Sequence, residues 1–185
     1  GLKEFVEENK MNLRVIPFKG EYVLPSDEIL IFDKDLKDKD RLKTFLIFSG
    51  TINIETNYVQ GLKQLTEVGI KAMSPGINDP GTAVMTLDYI TELLALRMKL
   101  HDREVFVTDN EEYVVELSTI SFDSLLYQIL ASYRLYCKHD PILMQKIIKM
   151  VKYLKRQEKA NDEYDEVLNK QLKNLKQDAE KNIEN

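Results

Sequence analysis

"KAMSPGINDPGTA", residues 71–83, holds two of the chain's 5 prolines and two of its 7 glycines. Apolar residues of helical spacing lie on both sides. Upstream, Tyr58, Leu62, Leu65, Gly69 and Ala72 predict a helix over 57–73. Downstream, Ala83, Leu87, Ile90 and Leu94 stripe a second helix over 80–100. Pro75 disfavours α geometry in the residue before it, so the first helix ends at or before Ser74. Gly76 is then expected to adopt a positive φ. Asp79-Pro80 is helix-start chemistry, an acidic N-cap followed by proline at the first helical position. The same pair returns at Asp140-Pro141. Two helices joined by an elaborate corner are therefore the core of the fold.

A corner needs Asp79-Pro80, but it does not need Pro75-Gly76-Ile77-Asn78 before it or Gly81 after it. Gly81 leaves the amides of residues 81–83 approachable, as an anion site would require. The Asp79 carboxylate already occupies those donors and would repel a phosphate. Asp79, the Asn78 amide oxygen and the carbonyl end of helix 57–73 make an oxygen-rich corner, better suited to a cation or a hydroxylated or amine ligand. The candidate ligand-binding residues are Ser74, Gly76, Asn78, Asp79 and Thr82, with Glu67 and Asp88 close in sequence.

Working outward, residues 2–10 read as a short helix. "NLRVIPF" (12–18) and "EILIF" (28–32) read as strands, with Gly20 and Pro25 supplying turns between them. A charged stretch leads into a helix over 38–48. "REVFVTDNEEYVVEL" (103–117) is a hairpin about Asp109-Asn110. Helices follow over 121–137, 141–159 and 161–182. The last has a narrow seam of Tyr164, Leu168, Leu172, Leu175 and Ala179, suited to a neighbouring helix or a short coiled coil. The expected fold is α+β, mainly α. It is one soluble domain over 1–185, with a β-rich portion at 1–35 and a helical body at 36–185 carrying the hairpin 103–117.

At 185 residues with 43% hydrophobic and 31% charged, the chain has enough apolar content for a core and too much for disorder. With 26 basic and 31 acidic residues, the net charge of -5 argues against general nucleic-acid binding. Cys137 is the only cysteine, so no internal disulfide is possible. No apolar run approaches the ~18 residues of a membrane helix, and no signal peptide is evident. The start at Gly1 is expected to mark a fragment of a longer protein.

The chain lacks a phosphate-binding glycine loop, a nucleophile elbow, HExxH and CxxC. Cys137 and His139 stand two residues apart on different helix faces, and read as a packed thiol and a surface histidine. Glu67 lies between Lys63 and Lys71, a charge ladder. Asp88 lies near a helix start, with Thr91 and Glu92 nearby, where negative charge is favourable. Lys146, Lys149, Lys152, Lys155, Arg156 and Lys159 make helix 141–159 basic and amphipathic. Such a helix can lie on anionic lipid, but the acidic start of the next helix, at Asp162, Glu163, Asp165 and Glu166, offers an internal partner.

"QLTEVGIKAMSPGINDPGTAVMTLDYI" (64–90) resembles the signature of domain-of-unknown-function family 2254, predicted bacterial integral membrane proteins. The matching positions are Gln64, Leu65, Glu67, Ala72, Ser74 to Pro80, Thr82, Ala83 and Asp88. "FKGEYVLPSDEIL" and "HDPILMQKIIKMV" are similar to further family segments. Two departures stand out: Gly81 replaces the family's usual Phe, and "INIETN" (52–57), with Asn57, replaces Arg-Thr and Gln-Asp. The resemblance implies membrane helices in an N-terminal part outside this sequence, and a cytoplasmic position for this domain. It implies no activity and no cofactor. The reading is a ligand-sensing or assembly module rather than an enzyme, capable of homo-oligomerisation through the last helix. Two alternatives stay open. One is a metal-assisted enzyme with Glu67, Asp79 and Asp88 clustered. The other is a purely structural loop.

Overall fold

A computed structural model describes residues 1–36, 38–50 and 57–181. Packing groups the chain into two compact units, Gly1–Asn57 with Asp102–Ile120, and Tyr58–His101 with Ser121–Asn185.

The first unit holds α1 (Leu2–Asn9), β1 (Leu13–Val15), β2 (Leu30–Phe32), α2 (Lys39–Lys43), β3 (Arg103–Val107) and β4 (Val114–Ser118). The strands form one sheet in the order β2-β1-β4-β3. β1 pairs antiparallel with β2 and parallel with β4, while β3 and β4 close the hairpin. Its connection turns where Glu111 takes a φ of 59° and the Asn110 side chain accepts from the Glu112 amide. Chain order places the hairpin within the helical portion, and strand pairing joins it to the sheet of the N-terminal strands. Phe5 and Val6 of α1, with Leu13, Val115 and Leu42, form this unit's core. Arg14 and Arg103 both approach Glu116 of β4, at 3.2 and 3.8 Å, bridging three strands on the outer face.

Helix α2 is shorter than the expected 38–48. Asp38 caps it through the Arg41 amide, and it ends at Lys43. Phe45 then packs its ring 5.5 Å from Phe5, so core contact overrides helix continuation there. Residues 52–56 of "INIETN" lie outside the described residues. Asn57 is buried and donates its side-chain amide to the Lys19 carbonyl at 3.1 Å.

The second unit is all helical: α3 (Tyr58–Ala72), α4 (Pro80–Arg97), α5 (Phe122–Cys137), α6 (Pro141–Leu154) and α7 (Glu163–Lys181). α4 packs on α3 and α6, α5 packs on α3, and α7 packs on α6 and α5. The α4 stripe of Ala83, Leu87, Ile90 and Leu94 is completely buried. On α3 the buried face is Val59, Leu62, Thr66, Gly69 and Ala72. The expected stripe is shifted by one residue in two places, with Val59 and Thr66 buried in place of Tyr58 and Leu65, and the Tyr58 hydroxyl accepts from the buried Arg97 Nε at 3.0 Å. In α7, Tyr164, Leu168 and Leu175 are buried within the chain, and the Tyr164 ring lies 4.7 Å from Phe122.

Helix α6 stops at Leu154, short of the expected 159. Lys159 folds back to donate to the carbonyls of Lys155 and Gln157, and sits 3.4 Å from Asp165. Of the acidic start of α7, Asp165 pairs with Lys159 beyond the end of α6, while Lys146 within α6 pairs with Asp88 of α4. Cys137 is buried and its thiol is pushed up by burial, while His139 is exposed.

A polar contact sits where α3, α4 and α5 meet. Thr86 Oγ1 donates to the Ala83 carbonyl at 2.8 Å and lies 3.0 Å from the Tyr133 hydroxyl. Thr86's single proton is thereby used, so Tyr133 is the donor between them. Burial pushes the Tyr133 phenol up to about 12.

Candidate functional site

The loop between α3 and α4 is closed by its own hydrogen bonds. After Ala72 the chain tightens, with the Met73 amide bonded to the Ile70 carbonyl and the Ser74 amide to the Lys71 carbonyl. The Ser74 carbonyl then accepts from both Ile77 and Asn78, at 3.0 and 2.9 Å. The Asp79 amide reaches back to the Ala72 carbonyl at 2.7 Å, sealing the turn onto the end of α3. The residue with a positive φ is Asn78, at 48°, and Gly76 is not in that region. Asparagine tolerates the left-handed conformation well enough to take this role. A side chain at Gly76 would meet nothing within 4 Å.

Asp79 caps α4 as expected. Its Oδ1 accepts from the Thr82 amide at 3.0 Å and its Oδ2 from the Thr82 hydroxyl at 2.5 Å. Those bonds, the Thr82 hydroxyl foremost, hold its carboxyl below the usual aspartate range. Such a cap contributes about 1 kcal/mol. Gly81 has a local reason as well: a Cβ there would lie 3.3 Å from Asp79 Oδ1, tighter than ordinary contact. Asp140 repeats the device on α6, accepting from the amides of Ile142 and Leu143, both at 2.9 Å.

The seven candidate residues fall into separate places. Ser74 and Asn78 are joined through the backbone, and Asp79 and Thr82 through the cap. Glu67 is exposed on α3 and pairs with Lys71 at 3.6 Å, which is the charge ladder read from its neighbours. Asp88 stands nine residues beyond Asp79, half a turn round the helix and about 13 Å along it. Its partner is Lys146 of α6. The clustered-carboxylate centre is therefore not formed. Among the described residues, no group of three or more His, Cys, Asp or Glu is placed to hold a metal ion.

Pro75 to Gly81 are all exposed, and Ile77 is 61% exposed at the tip. In the same unit, a shallow groove of about 400 Å³ runs between α4 and α6, lined by Val84, Pro141, Ile142, Gln145, Lys146 and Lys149. None of the seven candidates lines it. Ile77 is part of the excess 75–78 in the sequence but not one of the seven candidates, and the Lys146 pairing with Asp88 has no local signal. Exposure of an apolar tip and a partner 58 residues away are both tertiary facts.

A family model described as "Predicted membrane protein (DUF2254)" matches residues 1–153. The chain belongs to the DUF2254 family. This is the family that the 64–90 block resembles, and its match takes in the loop and ends before α7. Comparison with curated proteins and with solved structures finds no match. No helix among the described residues is long and apolar enough to cross a membrane.

Proposed function

We propose that this DUF2254 chain is an assembly module on the cytoplasmic side of a membrane protein. In this reading Ser74–Thr82 is a rigid docking element for a protein surface rather than a cradle for a small ligand. One observation carries the reading. The backbone amides of Ile77, Asn78 and Asp79 and the Asp79 carboxylate are spent on the loop's own closure, while Pro75 to Gly81 stay exposed around an apolar Ile77. A ligand cradle keeps polar groups convergent and available. A protein-docking element instead offers a fixed shape with an apolar anchor, so little ordering entropy opposes binding. Membership of a family described as predicted membrane proteins supports placing that partner at or in the membrane.

A photo-crosslinking residue at Ile77 in the full-length protein, in its native membrane, tests this. The expected result is a discrete protein adduct, absent when the same residue replaces Tyr22, which is 87% exposed in the other unit. Equal labelling at both positions, or none at Ile77, would overturn the proposal.

A further inference from the structure

Helix α4 carries two apolar seams. The inner one, Ala83, Leu87, Ile90 and Leu94, is consumed by the core. Tyr89, Leu93, Leu96 and Leu100 repeat its spacing about a third of a turn round the helix, the last in the turn after the helix, and are 50%, 37%, 61% and 57% exposed. Alternating steps of four and three residues are the seam by which one helix packs on another. In the comparable seam of α7, Tyr164, Leu168 and Leu175 are buried within the chain, while Leu172 and Ala179 are half-buried. Glu92 of α4 and Lys99 of the turn after it, both exposed, lie seven residues apart beside the outer row.

We propose that the outer seam of α4 packs antiparallel, about a twofold axis, on the same seam of a second copy of this chain. The row is self-complementary in that direction. Leu93 meets Leu96 of the second copy, Tyr89 meets Leu100, and the twofold axis repeats each contact. The same axis brings like flanks together, so Glu92 of each copy faces Lys99 of the other. The offset is two residues, with Lys99 in the i→i−3 turn that follows α4, a short distance for two long side chains. Parallel pairing would instead aim Glu92 at Arg97, which is buried and already donates to Tyr58 and to the Leu100 carbonyl. Lys99 lies 3.5 Å from Glu158, with both side chains exposed, and an exposed pair of that kind exchanges at little cost. One helix pair is a small interface, so the dimer is weak when dilute and favoured where copies are held close together. The inference is independent of the loop's role: Ile77→Ser leaves the dimer intact whether or not the docking proposal holds.

Light scattering on the chain from about 1 μM to about 1 mM tests it. The mass is expected to rise from one chain towards two. Leu96→Glu, at an exposed position, should hold it at one with unchanged circular dichroism. Glu92→Lys and Lys99→Glu should each weaken association about tenfold, and the double reversal should restore it. A one-chain mass throughout, including with binding to phospholipid vesicles, would overturn the proposal. So would a dimer indifferent to Leu96→Glu, or charge reversals that the double variant does not rescue.

Discussion

Replacing Gly69 with alanine should cost the helical unit about 3 kcal/mol, read as a lower urea midpoint at unchanged slope. The sign is unusual, because alanine inside a helix normally stabilises relative to glycine by up to ~1 kcal/mol. Here a Cβ would lie 2.0 Å from the Tyr133 hydroxyl, 2.4 Å from Thr86 Oγ1 and 3.0 Å from Tyr133 Cζ. Tyr133 and Thr86 are themselves buried, so neither can swing into solvent. Closely packed interiors meet such an intrusion with shifted backbone or forced rotamers. Tyr133→Phe alone loses one buried hydrogen bond, about 1 kcal/mol, since Thr86 keeps its bond to the Ala83 carbonyl. Combined with Gly69→Ala it removes the worst clash. The pair should therefore be more stable than the sum of the two losses by over about 1 kcal/mol. A Gly69→Ala variant as stable as the parent would mean that the three helices do not meet as described.

The second large effect separates the two seams of α4. Ile90→Ala, at a completely buried position, should lose about 3 kcal/mol through lost burial and the cavity left behind. Leu96→Ala, six residues along the same helix, should lose less than about 0.5 kcal/mol in dilute protein, because its side chain is 61% exposed. Paired urea titrations at low micromolar concentration make the comparison. Equal losses would show that the outer row is packed within a single chain.

Much of the helical unit was legible because local rules and tertiary packing agree there. The inner α4 stripe and both Asp-Pro caps appear as read, and the 64–90 block is that of the family to which the chain belongs. The outer α4 row was equally visible in the letters, but one stripe already satisfies an amphipathic helix, and a second acquires meaning only from its exposure. Gly76 and Asn78 both tolerate a positive φ, and it falls on Asn78, where it turns the next amide, that of Asp79, back to the Ala72 carbonyl. The parallel pairing of β1 with β4 joins segments about a hundred residues apart, which no local pattern encodes. The wide placement of Asp79 and Asp88 was implicit in their spacing, since nine residues are two and a half helical turns.

The central claim is that residues 72–82 form a self-closed element. Amide hydrogen exchange of the ligand-free chain, read residue by residue, tests it most directly. Asp79 is an exposed residue whose amide is bonded to the Ala72 carbonyl at 2.7 Å, and the Thr82 amide is held by the Asp79 carboxylate. Both should exchange at least about tenfold more slowly than an unprotected amide. Exchange of both at the unprotected rate, slowing only when a small molecule or ion is added, would contradict the account and identify the loop as an open ligand cradle.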